Sequence, residues 1–252
     1  HRNKPRKAFS RPMLVGIHQL HYLPWLRYFE KIAHCDVFVV LDNIQFNKNG
    51  WQNRNRIKTR QGAQILTVPV CSGHTQRLNE VCINNTGAWR KKHSQSLRQA
   101  YGKTPFFGDY FPFLEECYEG SWTHLNALNR HMLTWFLEVL EIRTPVVYAS
   151  ELDVPGDATE RLINLIQAVG GDKYYSGAFA LEAYLDAELL AAAGIELELQ
   201  EWTAPVYPQG AGDFIPDLAI VDLLFHCGPD ARSILLGKHP LQPDKEHACD
   251  SP

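Results

Sequence analysis

Leu14-Val15-Gly16-Ile17 is a short apolar run. It is followed by His18-Gln19-Leu20-His21-Tyr22-Leu23-Pro24-Trp25, and then by a second apolar run, Asp36-Val37-Phe38-Val39-Val40-Leu41-Asp42. Between the runs, residues 25–34 place apolar side chains at 25, 26, 28, 29, 32 and 33, the spacing of an amphipathic helix that opens after Pro24. Strand, helix and strand within roughly 30 residues make a βαβ unit, whose crossover is right-handed and whose sheet is parallel. The expected fold is therefore α/β: a mostly parallel, open, Rossmann-like sheet.

Further along, residues 63–70 read as a third strand, and residues 89–101 as a helix with a basic face of Arg90, Lys91, Lys92, His93 and Arg98. Residues 123–140 form a longer apolar-striped helix, preceded by an aromatic-rich segment at 106–122. The remaining pattern predicts a strand at 145–149, a helix at 158–169 and a strand at 173–177 that ends in a tight glycine turn. An Ala/Leu-rich helix at 182–193, stopped by Gly194, and an edge-type strand at 195–202 follow. Residues 204–216 are rich in turns and precede a last apolar run at 219–225. With no repeat or linker, the expectation is one α/β domain over residues 13–236 with a helical insertion at about 86–140. Residues 1–12, with Arg2, Lys4, Arg6, Lys7 and Arg11, read as a flexible arm or a non-native leader, and residues 237–252 as a polar tail.

Composition excludes some classes. In 252 residues the formal charge is −3, whereas a dedicated nucleic-acid binder is expected to be basic overall; any anion recognition must be local. No apolar run reaches membrane-span length and no secretory signal is visible, which predicts a cytoplasmic protein. The six cysteines contain no C-x-x-C pair, so reduced, mostly buried thiols are expected; Cys71 and Cys227 are conceivable nucleophiles.

After the second strand comes Trp51-Gln52-Asn53-Arg54-Asn55-Arg56-Ile57-Lys58, a cluster suited to binding an anion. Arginine presents a planar fork of donors to carboxylate or phosphate, lysine adds a point charge, asparagine orients a ligand, and tryptophan offers a stacking face. If the segment is extended, Arg54, Arg56 and Lys58 share one face and Asn53 and Asn55 the other, so that one face binds ligand while the other ties down backbone. Asp42, Gln45 and Lys48 lie between this cluster and the strand end, where open α/β sheets bind ligands; Asp42 is equally suited to capping the following turn.

The first strand delivers His18 and His21 in front of a helix N-terminus, a place where phosphates settle. This strand, His-x-x-His, helix order resembles the layout of the nucleotidylyltransferase and pantothenate-ligase superfamily, although the glycine before that motif's second histidine is absent and Leu20 and Tyr22 are bulky. No third ligand at diagnostic spacing accompanies the two histidines, so no metal site is predicted.

Residues 18–29, the segment Asp42-Asn43-Ile44-Gln45-Phe46-Asn47-Lys48 and the Trp-x-Asn-Arg-x-x-Ile-Lys element resemble the WbqC-like family. So do Trp89 with Lys92 and His93, Tyr175-Ser176-Gly177, Tyr184-Leu185, Pro205-Val206-Tyr207-Pro208-Gln209, and Asp222-Leu223-Leu224-Phe225-His226-Cys227-Gly228-Pro229. The resemblance spans residues 13–230. Departures are Leu20 for the usual Pro, Arg27 for Gly, Asn43 for an acidic residue and His226 for Asn.

The resemblance implies a role in bacterial O-antigen, other surface-glycan or natural-product biosynthesis. The preferred reaction is acyl or aminoacyl transfer to an amine. An ATP-dependent amide ligase or nucleotidylyltransferase, and a non-catalytic binding module for a nucleotide sugar or carrier protein, are the alternatives. The expected catalytic groups are His18, Lys48 and Asp42. The expected binding groups are Gln19, Tyr22, Gln45, Trp51, Asn53, Arg54, Asn55, Arg56, Lys58, Lys92, His93, Ser176, Gly177, Tyr207 and Gln209. Asp217 and Asp222 read as a helix start and a buried hydrogen-bond partner. The donor expected is a nucleotide or a phosphopantetheine-linked group, with a carrier protein as a candidate partner.

Overall fold

The computed structural model describes residues 11–48, 50–71, 76–183 and 185–237. Most of the expected N-terminal arm, nearly all of the polar tail, Tyr184 and Cys249 lie outside them. The chain begins with β1 (Leu14–Gln19), α1 (Leu26–His34) and β2 (Val37–Leu41). Burial of Leu26, Phe29 and Ile32 on one side fixes how α1 lies on the sheet, and Lys31 and His34 in its last turn suit the negative end of the helix dipole.

The next two strands, β3 (Arg54–Thr59) and β4 (Gly62–Thr67), form a separate antiparallel hairpin, with Thr59 opposite Gly62. Residues 63–70 therefore do not extend the parallel sheet. Only Arg60 and Gln61 separate the two strands, whereas a parallel pair needs a crossover of roughly a dozen residues. Gly62 takes a φ of +109°, which glycine adopts at little cost.

Three helices follow: α2 (Trp89–Tyr101), α3 (Phe107–Glu119) and α4 (Leu125–Val139). The aromatic-rich segment is thus largely helical despite Pro112. The chain returns to the sheet with β5 (Val146–Tyr148), then α5 (Ala149–Leu152), α6 (Ala158–Ala168) and β6 (Lys173–Gly177). No glycine turn ends β6, which runs directly into α7 (Ala178–Ala183). The expected helix at 182–193 is split, because Asp186 accepts a hydrogen bond from Leu189 N at 3.0 Å and starts α8 (Ala187–Ala192) afresh. Edge strand β7 (Glu196–Gln200), α9 (Ile220–Cys227) and α10 (Ala231–Leu235) complete the described strands and α-helices, beside short 3-10 turns at Leu78–Glu80 and Gly228–Asp230.

The five-stranded sheet has the order β5-β2-β1-β6-β7, and every pair is parallel. Counting only its own strands, the order is 3-2-1-4-5, the doubly wound pattern, which reverses direction between β1 and β6. One face packs Phe38 and Val40 against Phe29 of α1 and Phe136 of α4. The other packs Val15, Ile17 and Val39 against Ile163, Leu165 and Ile166 of α6. This two-sided burial explains the unbroken apolar reading of β1 and β2. Gly16 is required by contact: a Cβ there would lie 2.7 Å from Cys35 Sγ and 2.9 Å from the Phe38 ring.

Candidate functional site

Where the sheet order reverses, the carboxyl end of β1 carries His18, which is half-buried and in edge contact with His21 at 4.8 Å and Tyr28 at 5.2 Å between ring centroids. Burial lowers the basicity of both imidazoles. His21 is held down to about 3; His18 is also well below its usual value, through burial first and then repulsion from His21 and Lys31. Both rings are therefore neutral near pH 7. His21 Nδ1 is buried and meets no hydrogen-bonding partner among the described residues.

His18 borders two cavities. The larger, of about 540 Å³, is walled by His18, Gln19, His21, Trp25, Trp51 and Arg161, among others. The smaller, of about 250 Å³, is walled by His18, Arg27, Lys31, Ser176, Gly177 and Gln200, among others. Trp25 and Phe179 border both. Another cavity is lined by Arg130, Glu138 and Arg143, among others, remote in sequence from this motif.

The α1 N-terminus beside His18 is not open to a phosphate, contrary to the expectation from its layout. Leu26 N donates to Leu218 O at 3.3 Å, and Arg27 donates from both N and Nε to the Asp217 carboxylate at 3.1 Å. An internal carboxylate already occupies the positive end of the helix.

The hairpin faces divide as the alternation predicted, but toward different surroundings. Asn53 donates to Val68 O at 2.9 Å and Asn55 to Leu23 O at 2.6 Å, so both are buried ties for backbone. Arg54 and Arg56 lie over the Trp51 ring at 5.4 and 5.9 Å. The structure thus brings them to the back of a cavity wall rather than into either cavity. Trp51 in turn meets Trp25, 5.2 Å away. Lys58 is buried; its backbone N donates to Tyr101 OH at 3.0 Å, and its Nζ has no hydrogen-bonding partner among the described residues.

Other expected site residues are placed elsewhere. Tyr22 is fully buried, its OH 2.8 Å from His93 Nδ1 and 2.6 Å from Tyr118 OH, so Tyr22 and His93 form an interior network. Lys92 is exposed on α2, and Lys48 is exposed and borders neither cavity. Asp42 accepts from Ser150 N at 2.9 Å and Ser150 Oγ at 2.6 Å, so it serves the start of α5, 108 residues away, and not the turn that follows it. Tyr207 and Gln209 are no lid: both donate to the buried Asp222 carboxylate, at 2.6 and 2.9 Å, which Tyr101 OH approaches at 2.9 Å. Burial raises the Asp222 carboxyl. Burial likewise pushes the Cys227 thiol up to about 12, which removes nucleophilic character, while Cys71 is exposed.

Of the expected set, His18, Gln19, Trp51, Ser176 and Gly177 are gathered around the two cavities. Gln45 borders an outer extension described below. Lys31, Arg161, Gln200 and Phe179 are additional. Lys31 Nζ donates to Ile17 O at 2.9 Å and burial lowers it to about 8. The helical period places it on the polar side with Arg27, Glu30 and His34, so nothing in the sequence marks it as buried. Among the described residues no group of three or more His, Cys, Asp or Glu side chains could hold a metal ion, and no helix is long and apolar enough to cross a membrane.

A neutral imidazole between two cavities can accept a proton from a bound substrate. Comparison with known proteins gives a family without a stated reaction. The chain is 36% identical over 225 residues to the uncharacterized protein Rv1507c of Mycobacterium tuberculosis, covering 88% of this chain and 96% of the mycobacterial protein. No solved structure matches it. Residues 19–234 match the family described as the WbqC-like protein family, and the chain belongs to that family.

Proposed function

We propose that the protein is a cytoplasmic biosynthetic transferase of glycan or natural-product assembly, which moves an acyl or aminoacyl group from a phosphate-bearing or carrier-linked donor to an amine. Family membership supports a biosynthetic enzyme. The observation that carries the finer reading is the position of His18 on the shared wall of two cavities at the reversal of the sheet order. A two-substrate transfer needs two binding compartments that meet at one base, with the base unprotonated near neutral pH.

In this reading the donor carbonyl and the acceptor amine enter from opposite sides of His18. The amine nitrogen attacks the carbonyl carbon while His18 takes the amine proton, and the bond from carbonyl to the donor's sulfur or oxygen breaks. The proton then passes from His18 to the leaving thiolate or phosphate. Lys31, on the wall of the smaller cavity, supplies positive charge toward the oxyanion that develops. Arg54 and Arg56 act through Trp51, whose ring they hold. The closed N-terminus of α1 weighs against adenylyl transfer at that position.

The test incubates the purified protein with acyl-coenzyme A thioesters and nucleotide-linked amino sugars, following free thiol and N-acylated product by mass spectrometry. Amide formation is expected, with His18→Gln slower by about 10²–10⁴-fold, the scale of general-base catalysis, at little cost to donor binding. Undiminished turnover in His18→Gln would remove it from the chemistry. Pyrophosphate release from ATP would make the protein a ligase instead, and donor binding with no product would make it a binding module.

A further inference from the structure

The larger cavity continues outward into a third, of about 360 Å³, with which it shares Ile44, Asp157 and Arg161. Arg77 and Gln45 are on its far wall. Backbone pairing puts them there: Phe46 N donates to Gln76 O at 2.9 Å and Leu78 N to Ile44 O at 2.7 Å, which pins the segment around Arg77 alongside the loop that follows β2. Arg161 stands one turn into α6, where its Nη2 donates to Asn43 Oδ1, while its Nε is buried and finds no acceptor among the described residues. A buried guanidinium N–H without an acceptor is costly; Arg56 and Arg232 have a buried Nε in the same state, but of these three arginines only Arg161 lines the cavity, beside space that an acceptor can enter. The lining carries two guanidiniums against one carboxylate, Asp157.

We propose that this outer cavity binds a diphosphate ester, with Arg161 and Arg77 holding its phosphoryl oxygens and the rest of the ligand extending past Trp51 toward His18. The inference rests on reading the cleft as the site of a phosphate-bearing donor or acceptor, and it moves the anion from the 54–58 cluster to these two residues. Arginine suits the role because its planar fork matches phosphate oxygens two at a time. Gln45 and Asn43, also on this wall, add neutral polar groups beside the cations. Two sources share this chemistry, a nucleotide sugar and coenzyme A.

Calorimetric titration of the full chain with inorganic pyrophosphate, uridine diphosphate and coenzyme A tests the proposal without requiring turnover. Pyrophosphate and at least one of the two larger ligands are expected to bind, and which of them binds more tightly identifies the source. Arg161→Gln and Arg77→Gln should each weaken binding tenfold or more, and Lys92→Gln, exposed on α2 and outside all three cavities, less than twofold. Arg161→Lys, which keeps the charge but loses the fork, should fall between. A circular-dichroism melt of each variant excludes unfolding as the cause. Absence of binding by all three ligands, or wild-type affinity in both glutamine variants, would overturn the assignment. Binding as expected with no amide product in the transfer assay would leave this site standing and remove the transferase reading.

Discussion

The Asp217 carboxylate accepts from both the backbone N and the Nε of Arg27, at 3.1 Å each, and so joins the segment before α9 to the start of α1. Trp25 and Ala219 bridge the same two segments, and Ile220 N donates to Pro24 O at 2.9 Å. The loop that carries His18 and His21 into α1 is thereby anchored by a part of the chain roughly 190 residues downstream, a link whose effect on stability is on the scale of helix capping.

Asp217→Ala should lower stability by about 1–2 kcal/mol, the range for loss of a capping carboxylate. Asp217 has a φ of +52°, so Asp217→Asn, which tolerates that conformation, should recover part of the loss. Urea melts of the three proteins check this, and an alanine variant as stable as wild type would contradict it.

Lys31 is a buried cation whose Nζ donates to Ile17 O. Its lowered value of about 8 means that the ammonium costs stability below that pH, and the cost disappears as pH rises toward 10.5. Lys31→Met should therefore be neutral or raise stability at pH 7 by about 1–3 kcal/mol, while lowering transfer activity. A variant that is both less stable and fully active would show that the ammonium is structural.

Acid should destabilise the fold through its buried histidines. Burial holds His93 down to about 4 and His21 to about 3, so the folded state refuses protons that the unfolded chain takes up below 6.5. Stability falls as pH drops from 6.5 toward 4, each ring contributing up to about 2 kcal/mol by pH 5. Denaturation of wild type and His93→Gln at pH 7.5 and pH 5 should show a smaller pH effect in the variant; an identical effect would exclude His93 as a source.

Asn55→Ala should cost about 1–3 kcal/mol, because it leaves the carbonyl of Leu23 without its donor in the interior. Arg56→Ala should instead change Trp51 fluorescence with little effect on stability. The reverse pattern would mean that the two faces of β3 have been assigned the wrong way round.

The parallel sheet was legible because β1 and β2 are apolar on both faces and the helix between them keeps its period. His18 was legible for the same reason, since a strand end next to the first crossover is where such sheets expose side chains. What sequence reasoning missed was decided by distant partners. Tyr22 and His93 read as ligand groups, yet 71 residues apart they find each other in the interior. Tyr207 and Gln209 read as a lid because nothing local announces that Asp222 lies beneath them. Pro112 and Gly108 obscured α3, both being poor helix formers. Arg161 gave no signal, as a lone arginine in an amphipathic helix is ordinary until Ile44 and Arg77 are folded against it.

The larger cavity lies on the α6 side of the sheet and the smaller on the α1 side, with β1 ending between them. Two reactants arriving at His18 would then travel separate routes, and neither would have to depart before the other could enter. Initial-rate kinetics of such an arrangement carry no obligatory order of addition, and tailoring one route for a new reactant need not disturb the other.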